Sequence, residues 1–492
     1  MSAPNNLAKI RFGTDGWRAV IAEGFTFFNL ERVAQAYAGF LKQQSVNDAA
    51  FDKGTSFDKG TSGSPSLVIV GYDRRFLSEH FAARVAEVLA GNGLKVALFP
   101  ETVPTPLVSW AVRERGALGG VVITASHNPP EFNGFKIKAP WGGSATGETT
   151  SAVESLLDAE QVRRMDVSLS DARAFYEECA ASYRAQIASY VDLERIRASG
   201  LRVIVDSMHG SGARWVESFL QGGAIQAETI RAGRDAFFGG VNPEPIDRNL
   251  SPLKARVAEV GARLGLATDG DADRVGAVNE RGQTMTMHEV VPLILLHLAR
   301  VRGMRGGVVR TFSQSVLTKR ICQSLNLQLF ETPIGFKYVA DLMLRENILL
   351  GAEESGGIGV AGHIPERDGI LNSLLFLEAV VTSGKPPSEM VRDMHREFGE
   401  FYFNRSDLHM PVERGLALVE EMTANPPSQI AGHMVTGVER LDGTKLLFED
   451  ESWLLFRQSG TEPVLRVYTE ATSPEKTEAL LREGERWATS NS

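Results

Sequence analysis

Residues 67–99 read LVIVGYDRRFLSEHFAARVAEVLAGNGLKVALF. Leu67-Val-Ile-Val70 is an unbroken aliphatic run, the pattern of a strand buried on both faces. Gly71-Tyr-Asp-Arg-Arg75 ends it, an amphipathic helix is predicted from Ser78 to about Asn92, and Lys95-Val-Ala-Leu-Phe99 resumes as strand. The same alternation returns at Val121–Thr124, Leu201–Asp206, Leu264–Thr268, Gly307–Arg310 and Ile348–Gly351. Short strands interleaved with helices predict largely parallel α/β sheets with helices on both faces. Ligands of such sheets gather beyond the carboxyl ends of the strands. The polar loops that follow these runs are therefore where chemistry is expected.

Working outward, 492 residues exceed what one core can serve. The segment from about Phe401 mixes strands with two helices and reads as a smaller α+β domain. A tandem FDKGTS at 51–56 and 57–62 has the composition of a flexible surface insertion. Lys and Arg number 52 against 61 Asp and Glu, a formal net charge of −9, which argues against a nucleic-acid binder. Hydrophobic residues at 43% and charged residues at 23% exclude a disordered chain or a fibre. The two cysteines, Cys179 and Cys322, form no metal pair or disulfide framework, so a reducing, cytoplasmic setting is expected. The opening MSAPNNLAKIRFGTDGW has no apolar core of leader length, and Val290–Ala299 is too short to span a bilayer, so no membrane partner is expected.

Four motifs could carry chemistry. In Thr124-Ala-Ser-His-Asn-Pro-Pro130, Asn-Pro-Pro forces a turn just beyond a strand and presents Ser126 outside any regular element. A hydroxyl so placed suits a nucleophile or phosphoryl carrier, with His127 and Lys136 as proton shuttles or phosphate contacts. No G-x-S-x-G elbow supports a serine hydrolase. In Thr268-Asp-Gly-Asp-Ala-Asp-Arg274, three carboxylates at i, i+2 and i+4 point the same way if extended. Their mutual repulsion is relieved by a hard cation such as Mg²⁺ or Ca²⁺. A calcium loop of the EF-hand type would need glycine where Arg274 stands and helices where strands are predicted. Gly351-Ala-Glu-Glu-Ser-Gly-Gly357 offers polar groups for sugar hydroxyls, with His363-Ile-Pro-Glu-Arg-Asp-Gly369 close behind. Arg457-Gln-Ser-Gly-Thr-Glu-Pro463, with Arg466 next, offers a phosphate cradle. Together they supply what moving a phosphoryl group on a sugar phosphate requires.

At these residues the chain resembles the α-D-phosphohexomutase family, in its phosphoglucomutase/phosphomannomutase branch. The likeness runs from Phe12-Gly-Thr-Asp-Gly-Trp-Arg-Ala19 through TASHNPP, DGDADR, Thr332–Lys337 and GAEESGG to RQSGTEP, nearly the whole chain. It implies three related α/β domains at 1–170, 171–283 and 284–399 and a smaller α+β domain at 400–492, set around a central cleft. It implies a reversible phosphoryl transfer between the 1- and 6-positions of a hexose phosphate, glucose and/or mannose, through phospho-Ser126 and a 1,6-bisphosphate. Asp269, Asp271, Asp273 and the serine phosphate would hold Mg²⁺, and hexose 1,6-bisphosphate would be the activator. Arg18, Lys136 and Arg274 match positive positions about the phosphoryl group, and His127 the histidine after the serine. Lys337, Glu353, Ser355 and Arg367 match substrate contacts, and Arg457, Ser459, Gly460, Thr461 and Arg466 the loop for the phosphate not being transferred. Arg367 stands where several glucose mutases carry lysine, and Gly357 replaces a histidine of dual-sugar and glucosamine members. A phosphoglucosamine mutase or a sugar-1,6-bisphosphate synthase would share these motifs; a non-catalytic sugar-phosphate sensor need not keep the carrier serine. Monomer and dimer are both compatible with the sequence.

Overall fold

A computed structural model describes residues 9–13, 16–48, 66–460 and 463–490, the side chains of 45–48 and 490 apart. The tandem FDKGTS lies outside the described residues. The chain packs as two compact units. The first comprises the described residues up to Thr284 together with Gly356–Gly384; the second comprises Met285–Ser355 and the described residues from Lys385 onward.

In the first unit, one sheet is ordered Gly16–Val20, Phe132–Lys138, Gly119–Ile123, Leu67–Tyr72, Lys95–Leu98. Leu67–Tyr72 pairs in parallel with both Lys95–Leu98 and Gly119–Ile123, as the strand–helix–strand reading requires. Phe132–Lys138 runs antiparallel to its neighbours, so the sheet is mixed. The reason is local: only a short loop separates it from Gly119–Ile123, and a parallel return needs a crossover of a dozen residues or more. Every residue of Leu67–Tyr72 is buried, and helix Ser78–Gly91 lays Phe81, Ala82, Val85, Ala86 and Leu89 into the same core. A second sheet sets Val275–Asn279, Leu264–Thr268, Arg202–Asp206 and Gln226–Ile230 side by side, again mixed through the antiparallel return of Val275–Asn279.

Helix Gly369–Ser383 belongs to this unit although it lies far along the chain. Asp368 caps it, accepting from Ile370 N at 3.0 Å and Leu371 N at 2.9 Å, and Gly384 closes it with φ of 67°. In the second unit, Gly307–Thr311 pairs in parallel with Leu329–Thr332 and Ile348–Ala352. Beyond Phe401, strands Tyr402–His409, Val464–Ala471, Trp453–Gln458, Thr444–Phe448 and His433–Glu439 pair antiparallel in that order, with helices Val412–Ala424 and Pro474–Ser490. Among the described residues no helix is long and apolar enough to cross a membrane.

Candidate active site

The serine loop begins where Gly119–Ile123 stops. Ser126 is buried and sits at φ of 50°, a left-handed conformation sparse for any residue with a Cβ. Its amide donates to Thr124 Oγ1 at 2.9 Å, and its hydroxyl donates to Asp269 Oδ2 at 2.9 Å. Asn128 N donates to Ala125 O at 3.0 Å, closing the turn that the prolines enforce. The chain then re-enters as Phe132–Lys138, whose register sets Lys136 opposite Val122, the second pair counted from the loop. Arg18, opposite Gly134 on the other neighbouring strand, donates from Nη1 to Asn128 Oδ1 at 2.8 Å. His127 is half-buried beside the serine.

Strand Leu264–Thr268 delivers the acidic loop. The segment is not extended, the condition under which alternate carboxylates would point the same way. Asp269 to Asp273 form a tight turn in which Ala272 takes φ of 59°, and the carboxylates converge because the chain folds back on itself. Asp269 Oδ1 accepts from Asp273 N at 3.0 Å and Arg274 N at 3.1 Å. Asp271 Oδ2 accepts from Thr105 Oγ1 at 2.7 Å and Lys136 Nζ at 3.0 Å. Asp273 Oδ2 accepts from the same ammonium at 2.8 Å and lies 3.0 Å from Arg367 Nη2. Arg274 is mostly buried, with Nε 3.9 Å from Asp273 Oδ1. The flanking strands leave no place for a helix–loop–helix calcium site.

All three carboxylates are fully buried, and the electrostatics divide them. Burial and the two neighbouring charges push Asp269 well above the usual carboxylate range. Burial also opposes ionisation of Asp271 and Asp273, yet both are held below it, Asp271 by Lys136 and Thr105, Asp273 by Arg367, Lys136 and Arg274. One oxygen from each of the three lies within 4.8 Å of the others. Among the described residues, Oδ1 of Asp271 and Oδ1 of Asp273 are buried and accept no hydrogen bond. Converging hard oxygen donors, those of Asp271 and Asp273 held ionised, fit a divalent cation such as Mg²⁺, whose charge would favour the ionised form of Asp269 as well.

Arg367 reaches Asp273 from the segment between Val360 and Gly369, and that segment is anchored on both sides. Buried Glu366 accepts from Lys138 Nζ at 2.6 Å, and Asp368 Oδ2 accepts from Tyr183 Oη at 2.7 Å and lies 2.9 Å from His363 Nε2. Thus Ser126, Asp269, Asp271, Asp273, Lys136, Arg274 and Arg367 are brought together in the first unit, with Arg18 one residue removed through Asn128. Thr105 was not foreseen: it joins the site from 166 positions away in sequence, with no motif of its own.

The remaining expected residues lie in the second unit. Glu353, largely buried, and Ser355 follow strand Ile348–Ala352, and Lys337 is the second residue of helix Phe336–Arg345. Arg457 stands within strand Trp453–Gln458, not in the loop after it, paired across to Arg466. Its Nε donates to Asp442 Oδ2 at 2.9 Å. Ser459 is buried and Gly460 exposed; Thr461 lies outside the described residues.

Four domain descriptions of phosphoglucomutase/phosphomannomutase match in order: alpha/beta/alpha domain I over residues 9–164, II over 181–282, III over 287–398, and the C-terminal domain over 413–485. The chain belongs to the α-D-phosphohexomutase family. A phosphoglucomutase/phosphomannomutase of Thermococcus kodakarensis is 30% identical, covering 96% of this chain and 97% of its own. A phosphoglucosamine mutase of Novosphingobium aromaticivorans is also 30% identical, covering 96% and 98%. A crystal structure from Thermus thermophilus, named among the phosphomannomutases, superposes with TM-score 0.82 at 36% identity over 97% of this chain and 99% of that one. This phosphohexomutase is accordingly an isomerase that acts as an intramolecular phosphotransferase. Its relatives divide between glucose/mannose and glucosamine names.

Proposed function

We propose that this phosphohexomutase exchanges phosphate between the 1- and 6-positions of glucose or mannose phosphates, with Ser126 as the phosphoryl carrier. The observation that supports this reading is the 2.9 Å contact between Ser126 Oγ and Asp269 inside a nest of three buried carboxylates. A hydroxyl buried against acids has little use as a surface group; it is a place to hold a phosphate, provided the negative charge is answered. Phosphoserine carries about −1.5 to −2 near neutrality. Lys136, Arg274 and Arg367, with Arg18 alongside, supply the positive groups.

Mg²⁺, held by Asp269, Asp271, Asp273 and the serine phosphate, would offset the carboxylates and polarise a phosphoryl oxygen. In the forward half-reaction the bond from phosphorus to Ser126 Oγ breaks as one forms to the free sugar hydroxyl. The hydroxyl gives up its proton, the serine oxygen takes one, and a 1,6-bisphosphate results. Return of the other phosphate to Ser126 completes the isomerisation, and bisphosphate in trace amounts keeps the carrier loaded. Lys136 and His127 are the candidates for these proton transfers. For the second unit the reading assigns sugar contacts to Lys337, Glu353 and Ser355, and the idle phosphate to Arg457, Ser459, Gly460, Thr461 and Arg466.

A glucosamine phosphate is the second reading, favoured by relatives of equal identity that carry that name. Parallel rates on glucose, mannose and glucosamine 1-phosphates, with Mg²⁺ and trace bisphosphate, discriminate the sugars. Ser126→Ala should lose all turnover while keeping the wild-type melting temperature to within a few degrees. Near wild-type isomerisation by that variant would end the carrier role.

A further inference from the structure

Asp73 and Arg75, which the proposed chemistry does not use, are both 0% exposed and stand just after strand Leu67–Tyr72. Burying an ion pair carries a desolvation penalty that is tolerated only when its remaining donors and acceptors are met. Here the partners of Arg75 are telling. Nη1 donates to Pro129 O at 2.7 Å and Phe132 O at 3.0 Å; Nη2 donates to Ser126 O and Asn128 O, each at 2.7 Å. All four acceptors are main-chain carbonyls, three in the serine loop and the fourth on the first residue of the strand that follows it. Nε lies 3.2 Å from Asp73 Oδ2, and the guanidinium lies 5.0 Å from the centre of the Phe238 ring.

Asp73 works on the other side of the same residue. Its Oδ2 accepts from Thr124 Oγ1 at 2.6 Å, and that oxygen accepts from Ser126 N at 2.9 Å. Its Oδ1 accepts from Ser78 Oγ and from Arg75 N, each at 3.0 Å. The amide and the carbonyl of Ser126 are therefore tied, through one intermediary or none, to a single buried pair. Between them lies the left-handed φ of 50°. Such a conformation persists only where the surroundings over-determine it. With N and C=O both fixed, the Cα–Cβ direction is fixed, and from that position Oγ reaches Asp269 Oδ2 at 2.9 Å.

We propose that Asp73 and Arg75 form a buried brace that positions Ser126 for phosphoryl transfer. Arg75 is a positioning residue: its fork of donors sets the loop geometry, and it touches no substrate. The proposal rests on reading Ser126 as the carrier, so its test has a measurement that does not depend on phosphate.

Arg75→Lys and Arg75→Ala, in the full chain, are compared with wild type by steady-state kinetics and by hydrogen exchange of amides 125–134. A lysine keeps the charge beside Asp73 but cannot reach four carbonyls. Arg75→Lys should fold with wild-type circular dichroism, lose at least about tenfold in kcat with KM nearly unchanged, and exchange faster in that loop. Arg75→Ala should lose about 100-fold, and millimolar guanidinium, unlike equal sodium chloride, should restore both rate and protection. Wild-type kcat and loop protection in Arg75→Lys would overturn the brace. So would lowered kcat with unchanged loop protection in either variant, or absence of guanidinium rescue in a folded Arg75→Ala. If wild type takes up no phosphate from bisphosphate by intact mass, yet the variants lose loop protection and guanidinium restores it, the carrier reading fails while the brace stands.

Discussion

Gly270 shows how little room the serine and acidic loops leave each other. A Cβ there would lie 2.4 Å from the carbonyl oxygen of Ser126 and 3.0 Å from Pro243 Cγ. That carbonyl already accepts from Arg75, so it cannot retreat without loosening the serine loop. Gly270→Ala should therefore destabilise by about 1–3 kcal/mol, as overpacking does, and lower kcat by about 100-fold through displacement of Ser126. Denaturant unfolding and steady-state kinetics read the two effects separately. At this scale the meeting of Ser126 with the three aspartates was legible through the two motifs that carry them. The shape of their meeting was not. Convergence depends on the left-handed turn at Ala272, and Thr105 and Arg75 act on loops 166 and 51 positions away, a separation that no local pattern encodes.

The strands were the most readable elements, since runs such as Leu67–Val70 and Leu264–Thr268 are aliphatic throughout and bounded by polar turns. Helix Gly369–Ser383 was opaque for the opposite reason. It is buried on nearly all sides from Gly369 to Val380, so it lacks the polar face that reveals an amphipathic helix. Its start depends on one carboxylate. Asp368 caps the first turn with Oδ1 and serves Tyr183 and His363 with Oδ2. Asp368→Ala removes a cap worth about 1 kcal/mol and leaves a buried hydroxyl unpartnered at about 1–3 kcal/mol more. The expected loss is about 2–4 kcal/mol in chemical denaturation. It should be accompanied by lower kcat as the adjoining Arg367 loses its seat beside Asp273.

Across the molecule, one buried cation gives stability a pH signature. Lys445, 3% exposed, has Nζ 4.2 Å from the Phe312 ring centre and 4.8 Å from that of Trp453, with Glu439 and Glu331 at 3.9 and 4.0 Å. Burial pulls its pKa down to about 8 from 10.5. Between those values the unfolded chain binds more protons than the folded one, so stability rises with pH; below about 8 the penalty is fully present. The span corresponds to about 3 kcal/mol. Lys445→Met should flatten the rise from pH 8 to 10.5 seen in denaturation midpoints; an unchanged profile would assign it to another group.

Because Gly356–Gly384 completes the first unit, that unit is not contiguous in the polypeptide. During synthesis a ribosome releases everything up to Thr284 while the helix that packs on strands Leu264–Thr268 and Val275–Asn279 is still untranslated. Until residue 384 has cleared the exit tunnel, the seat of that helix stays wetted, an apolar surface of the kind that draws chaperones and aggregation. A gene cut at codon 284 would make this interval permanent.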